Sequence, residues 1–128
     1  MTPAARAAFA AKPQGAVLAT VDDRGRTHAV PVIYLFEEGE FLVITERGLK
    51  KHRNAVASGR ASLCMNAWPQ FRYVTVEGPV RVEDSVSYET RLRLHTHYRG
   101  EEAALKATAD GAHQKMVALM LTPEHWLG

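Results

Sequence analysis

The chain has 128 residues, of which 46% are hydrophobic and 23% charged, with a formal net charge of +2. That length fits one domain, residues 1–128, able to bury about two-thirds of its unfolded surface, and mixed charges on an apolar background exclude a disordered chain. So small a net charge gives no argument for nucleic acid, no stretch approaches the ~20 apolar residues of a membrane span, and the single cysteine, Cys64, excludes an internal disulfide and fits a reducing cytoplasm.

Thr2-Pro3 supplies a capping residue and a first-turn proline, so a helix is expected over residues 4–11 and is stopped by Lys12-Pro13-Gln14-Gly15. Arg6 interrupts this alanine-rich start, which therefore lacks the apolar core of a signal peptide. Ala16 to Val21 is a near-continuous apolar run and reads as a strand. Asp22-Asp23-Arg24-Gly25 is a turn, His28 to Phe36 a second strand, and Glu37-Glu38-Gly39 turns into a third, Phe41 to Thr45. Pro31 belongs at a sheet edge or a bulge, because proline cannot donate to a ladder.

A helix follows from Leu49 to Ser58, closed by Gly59, then a fourth strand from Ala61 to Asn66. Tyr73 to Val82 alternates Val74, Val76, Val80 and Val82 against Thr75, Glu77 and Arg81, a fifth strand in which Gly78-Pro79 predicts a sharp bend. Asp84 or Ser85 is expected to cap a helix to Tyr98, with a second helix from Glu101 to Ala107. Lys115 to Thr122 is a sixth strand, and residues 123–128 form a tail carrying Trp126. The expected fold is mainly β (α+β): six strands with one helix inserted after the third imply a small, mostly antiparallel barrel with a few short helices.

The most informative stretch is Thr45-Glu46-Arg47-Gly48-Leu49-Lys50-Lys51-His52-Arg53-Asn54. Two lysines in the first turn of a helix oppose the macrodipole, at about 0.3–1 kcal/mol each when exposed. The sign reverses if an anion sits there, because free N–H groups and both ammoniums then converge on it. The cluster reads either as a solvated basic face or as a phosphate site.

These segments together resemble the flavin-binding split-barrel superfamily named for pyridoxamine phosphate oxidase. Ala16 to Asp22, Asp23 to His28 and Val30-Pro31-Val32 are similar to its opening hairpin. Phe41 to Thr45 followed by Gly48-Leu49-Lys50-Lys51-His52-Arg53-Asn54 resembles its strand and phosphate-binding segment, and Leu121 to Trp126 resembles its usual ending. Within the superfamily the chain looks closest to the short branch that uses coenzyme F420, a deazaflavin. The resemblance implies a six-stranded antiparallel split barrel of the FMN-binding type, paired as a homodimer with the cofactor between subunits. It places Lys50 and Lys51 on the cofactor phosphate with Arg53 in support, and Val32, Ile33, Ile44 and Thr45 along the ring or its ribityl chain. Tyr73 and Trp126 are its aromatic wall candidates. Leu49 departs from the family serine, and Lys50 replaces an arginine fork by a point charge.

No catalytic constellation or metal motif stands out. His95 and His97 alternate on a helix and point to different faces, so with His113 they read as solvated or packed rather than metal-ligating. Tyr73, His28, His125 or water are the candidate proton donors. Three functions follow: an F420-dependent reductase of a conjugated small molecule such as a quinone, enone or tetrapyrrole; an FMN oxidase or reductase; or a non-catalytic barrel that carries a cofactor or binds nucleic acid. Basic and aromatic residues do not interleave, which disfavours nucleic acid.

Overall fold

A computed structural model describes residues 1–128. Helix α1 (Pro3–Ala10) begins as its capping residues dictate, with the Ala5 N–H donating to Thr2 Oγ1 at 3.1 Å. Strands β1 (Gly15–Val21) and β2 (Thr27–Val32) form the expected hairpin. Its turn is built on Asp22, whose Oδ1 accepts the N–H groups of Arg24 and Arg26, each at 2.9 Å. A second hairpin joins β3 (Leu35–Glu37) to β4 (Glu40–Glu46) through Glu38 and Gly39, both at positive φ (52° and 78°), as a two-residue turn of this hand requires.

Helix α2 (Lys50–Ser58) leads into β5 (Arg60–Ala67) and the long β6 (Arg72–Glu83). Helices α3 (Tyr88–Arg99) and α4 (Glu101–Ala107) and a short 3-10 turn precede β7 (Met116–Leu121) and β8 (His125–Leu127). The antiparallel order is β2-β1-β5-β6-β7-β4-β3, with β8 on β6. β6 pairs with β5 as far as Pro79 and with β7 from Val80 onward, so Gly78-Pro79 is where the sheet curls from one half of the split barrel into the other. A Cβ at Gly78 would collide with the Thr122 carbonyl oxygen, which is why glycine stands at this crossing.

Eight strands replace the six expected. The run His28 to Phe36 divides, because β2 pairs with β1 while β3 pairs with β4 at the other end of the strand order. The tail is not irregular: β8 places His125, Trp126 and Leu127 against Glu77, Val76 and Thr75. Helix α3 starts later than expected, capped by Ser87 Oγ, which accepts the Thr90 N–H at 3.1 Å. Val86 is buried, and reaching its apolar site keeps the chain extended up to the cap. Pro31 sits on β2, an edge strand, as its missing N–H demands.

Two apolar clusters follow from period-two alternation. The larger fills the barrel with Leu18, Phe41, Leu63, Met65, Val76 and Leu119. The smaller, comprising Leu35, Leu42, Val86, Leu94 and Ala118, lies between the sheet and α3. Between β2 and β3 the chain turns at Ile33-Tyr34, and Tyr34 is 1% exposed. Its hydroxyl donates to Ala10 O at 2.8 Å and accepts from Gln14 Nε2 at 3.0 Å. The Tyr34 N–H donates to Tyr98 Oη at 3.3 Å, and Tyr98 Oη donates to Gln14 O at 2.9 Å. Burial pushes both phenols above their ordinary range.

Tyr34→Phe leaves the Ala10 carbonyl without this buried donor and should lower unfolding free energy by about 1–3 kcal/mol, read from urea denaturation. The raised folded-state values give a sign as well. Both tyrosines contribute fully below their unfolded value near pH ~10 and lose that contribution as pH rises beyond it. Wild-type stability should therefore fall above that pH, and the decline should be shallower in Tyr34→Phe; identical profiles would show that packing alone holds the corner.

Candidate functional site

The end of β4, the loop after it and the first turn of α2 form one continuous segment. The Arg47 N–H donates to Lys115 O at 2.9 Å and Arg47 Nη2 to Asp84 O at 2.7 Å, tying the loop to the chain on either side of α3 and α4. Gly48 has φ +88°, a conformation that favours glycine. Leu49 is the N-cap of α2, and its side chain makes no cap bond. No acidic residue stands in the first turn, which carries Lys50 and Lys51 instead. Unpaired helix N–H groups and two ammoniums thus share this end.

His52 closes the turn in an unusual way. The Gly48 N–H donates to His52 Nδ1 at 2.9 Å. This resembles the reach-back half of a capping box shifted one residue outward, because the bonded N–H belongs to the residue before the N-cap Leu49. An accepting Nδ1 requires the neutral ring, with its proton on Nε2. The cap is therefore made without adding a negative charge to a cationic site. Farther along α2, buried Asn54 donates through Nδ2 to Thr20 Oγ1 at 3.1 Å, and Gly59, at φ +69°, ends the helix. These contacts seat α2 on the barrel.

The three basic side chains separate. Lys50 and Arg53 line a cavity of about 300 Å³ together with Asp22, Asp23 and Asn54, and Lys50 Nζ lies 3.9 Å from Asp22 Oδ2. The Arg26 N–H is the main cause that holds the Asp22 carboxyl below its ordinary range. Lys51, about 100° around the helix from Lys50, is half-buried and makes no ion pair. Thr45, the penultimate residue of β4, is 4% exposed, and its Oγ1 has no hydrogen-bond partner. A buried hydroxyl left unpaired is costly unless a ligand or water satisfies it. These features suit a phosphate-tailed group: a buried orphan hydroxyl, an acid-free helix start and two lysines.

The remaining sequence-derived site residues are spread over both faces of the sheet. Ile33 and Ile44 pack on the cluster beneath α3, whereas Val32 and Trp126 pack on the barrel core. Ile44 and Thr45 are adjacent in a strand and so face opposite sides of the sheet. The Trp126 ring lies 5.9 Å from Phe41 and 6.2 Å edge-on to Phe36, which makes it a core contact first. Tyr73 is 50% exposed and pairs with Asn66 at the opposite end of the β5–β6 ladder from α2.

Of the proton-donor candidates, His28 is half-buried on β2 and His125 is exposed. His125 Nε2 lies 3.5 Å from Glu124 Oε1, within a network where Arg60 donates to Glu77 at 2.7 Å and to Glu124 at 2.8 Å. That guanidinium occupies the place a cation would take among Glu77, Glu124 and His125. His95 is part-buried and accepts from Arg99 Nε at 3.1 Å; burial, then the charges of Arg99 and Arg91, lower its proton affinity. The sequence reading missed His52, whose signal is the three-residue spacing from the N-cap. Thr20 carries no such signal, because in sequence it is one position within an apolar run.

The chain's sequence matches the family described as pyridoxamine 5'-phosphate oxidase over residues 1–128. No curated protein matches it. Among solved structures, a protein described as F420 reductase is 18% identical, with 94% of each chain covered and a TM-score of 0.80. A pyridoxamine 5'-phosphate oxidase-related, FMN binding protein from Nostoc punctiforme is 17% identical, with 98% of this chain and 83% of that one covered and a TM-score of 0.65. HutZ, the heme storage protein from Vibrio cholerae, is 17% identical, with 98% and 92% covered and a TM-score of 0.73. At such identities the likeness carries the split-barrel fold and not the activity.

His52→Ala leaves the Gly48 N–H without its side-chain acceptor and should cost about 0.5–1.5 kcal/mol of stability. His52→Gln, a neutral acceptor of similar reach, should recover most of that loss in the same urea titration. Equal stability of wild type and the alanine variant would remove His52 from the capping role.

Proposed function

The chain belongs to the pyridoxamine 5'-phosphate oxidase family, and on that premise we propose that it is an F420-dependent reductase of a conjugated small molecule. The observation that carries this reading is the first turn of α2, acid-free and bearing Lys50 and Lys51. Lys51, which no carboxylate neutralises, would bind the cofactor phosphate, with Lys50 and Arg53 flanking it and the N–H groups of the turn donating. The unpartnered Thr45 hydroxyl would bind a polar group between phosphate and ring. When bound, reduced F420 supplies hydride to an acceptor such as a quinone, enone or tetrapyrrole. The protein's part is to bind, orient and exclude water. Similarity in fold to an F420 reductase supports the choice, and the FMN binding neighbour supports FMN as the second reading.

A homodimer sharing the cofactor belongs to the same proposal. Trp68, Phe71, Tyr73 and Leu127 are exposed by 73%, 77%, 50% and 66%, an apolar edge that a second copy would cover. Tyr73 lies away from the lysines of its own chain. It would meet a cofactor held by the partner.

Purified protein should be nearly colourless and should change the fluorescence of added F420 on binding. Retained yellow FMN with no F420 binding would favour the second reading. Affinity for neither would leave a non-catalytic barrel. Lys51→Ala should weaken F420 binding by about 1.5–3 kcal/mol with an unchanged fold, and Lys50→Arg should hold or improve it. Normal binding by Lys51→Ala would displace the phosphate from this corner.

A further inference from the structure

We propose that the hollow between the start of α3 and the outward face of β4 and β7 is a second small-molecule site, taking a compact monocation with an apolar body, of the arylalkylamine class. The hollow holds about 290 Å³. It lies at the beginning of β4, whereas α2 follows that strand's end, so it stands apart from the phosphate corner. It goes beyond the cofactor reading and does not rest on it.

The floor is apolar. Leu42 and Met120 are cross-strand partners there, beside Ala118 and the buried Val86. The rim is charged, and its charges do not cancel. Arg93 fully engages Glu37, with Nε and Nη2 each 3.0 Å from a carboxylate oxygen. On the other side a single guanidinium, Arg81, serves two carboxylates: Nη2 lies 3.0 Å from Glu40 Oε1, and Nη1 bonds Glu83 Oε1. The Thr122 hydroxyl adds a neutral bond to Glu40. Three carboxylates therefore face two guanidiniums, which leaves one negative charge beside the Glu40–Glu83 pair.

The hydroxyls at the start of α3 leave this balance unchanged. Ser87 Oγ donates to Thr90 Oγ1 at 2.9 Å while it caps the helix. An ordinary surface ion pair needs no concavity beneath it. Here an apolar floor lies under a rim with surplus acceptors, the arrangement that orients an amphipathic ligand with its charged end outward. The volume sits at the small end for ligand sites, so the body is limited to roughly ten non-hydrogen atoms.

The test titrates the full chain with 2-phenylethylamine and, separately, with 3-phenylpropionate, which has a similar body and the opposite charge. The readout is the amide spectrum. Saturable shifts at Ser87, Thr90 and Ala118 are expected with the amine, and binding about tenfold weaker with the acid, as two exposed charge contacts of opposite sign allow. Glu83→Gln leaves Arg81 paired with Glu40 and removes the surplus charge, so it should weaken the amine by about threefold and leave the acid no worse. Met120→Trp should fill the floor and abolish both. Equal affinity for the two probes, shifts mapping elsewhere, no saturation in the millimolar range, or unchanged amine binding in Glu83→Gln would each overturn the proposal.

Discussion

The split barrel is closed by a covalent corner. Its strand order begins with β2 and ends with β3, and those two strands are separated by only Ile33 and Tyr34. No ladder joins them, so the geometry of the gap rests on what holds those residues. Tyr34 is buried, and its hydroxyl is satisfied by the end of α1 and by Gln14, while its amide is satisfied by Tyr98 from α3. One residue thereby ties both helices flanking the open seam to the sheet. Satisfied buried polar groups of this kind specify one arrangement more sharply than apolar packing does. The placement of β4, and so of the segment that launches α2, follows from that corner.

The local grammar of the chain was readable where a single residue decides the outcome. Thr2-Pro3 starts α1, Asp22 and Gly25 turn the first hairpin, and Gly59 ends α2. The curl at Gly78-Pro79 was legible from a glycine and a proline inside a valine alternation. The division of β2 from β3 was not, because Val32-Ile33-Tyr34-Leu35 is uninterrupted in hydropathy and only the pairing partners change. β8 was hidden behind Thr122-Pro123-Glu124, since a three-residue strand gives no periodicity of its own. The start of α3 is not legible because two plausible capping residues, Asp84 and Ser85, precede Val86, and the burial of Val86 moves the cap to Ser87.

The candidate site divides along the same line. Its basic segment is contiguous, so the sequence alone identified the strand, the glycine and the lysines. The split of Lys50 and Arg53 from Lys51 depends on Asp22, which is close in space but 28 positions away by the numbering of Asp22 and Lys50. The neutral cap from His52 depends on a bond formed only once the loop is shaped. Together these features reconcile a cationic helix start with stability. The macrodipole penalty of the lysines is offset by a cap that adds no anion, by the Asn54–Thr20 bond, and by Lys50 lying near Asp22. Lys51 keeps the uncompensated charge.

Alternation along a strand sets a further condition on any flat ligand. Ile44 and Thr45 face opposite sides of the sheet, and Ile44, like Ile33, packs beneath α3. A ring anchored through the Thr45 side therefore cannot also rest on Ile44 in the same chain. Val32 and Trp126 face the barrel interior, where Phe36 and Phe41 already occupy the indole. On the proposed reading, one protomer thus offers a grip for the phosphate and a single hydroxyl, on a strand face where the neighbouring Val43 is already packed in the barrel core. On the same reading a wall for the ring would come from another chain, and Tyr73 with its exposed neighbours Trp68 and Phe71 is an aromatic surface that one protomer leaves uncovered. Dimerisation and cofactor binding would then be a single equilibrium, because the surface proposed to shield the ring is the surface proposed to join the subunits.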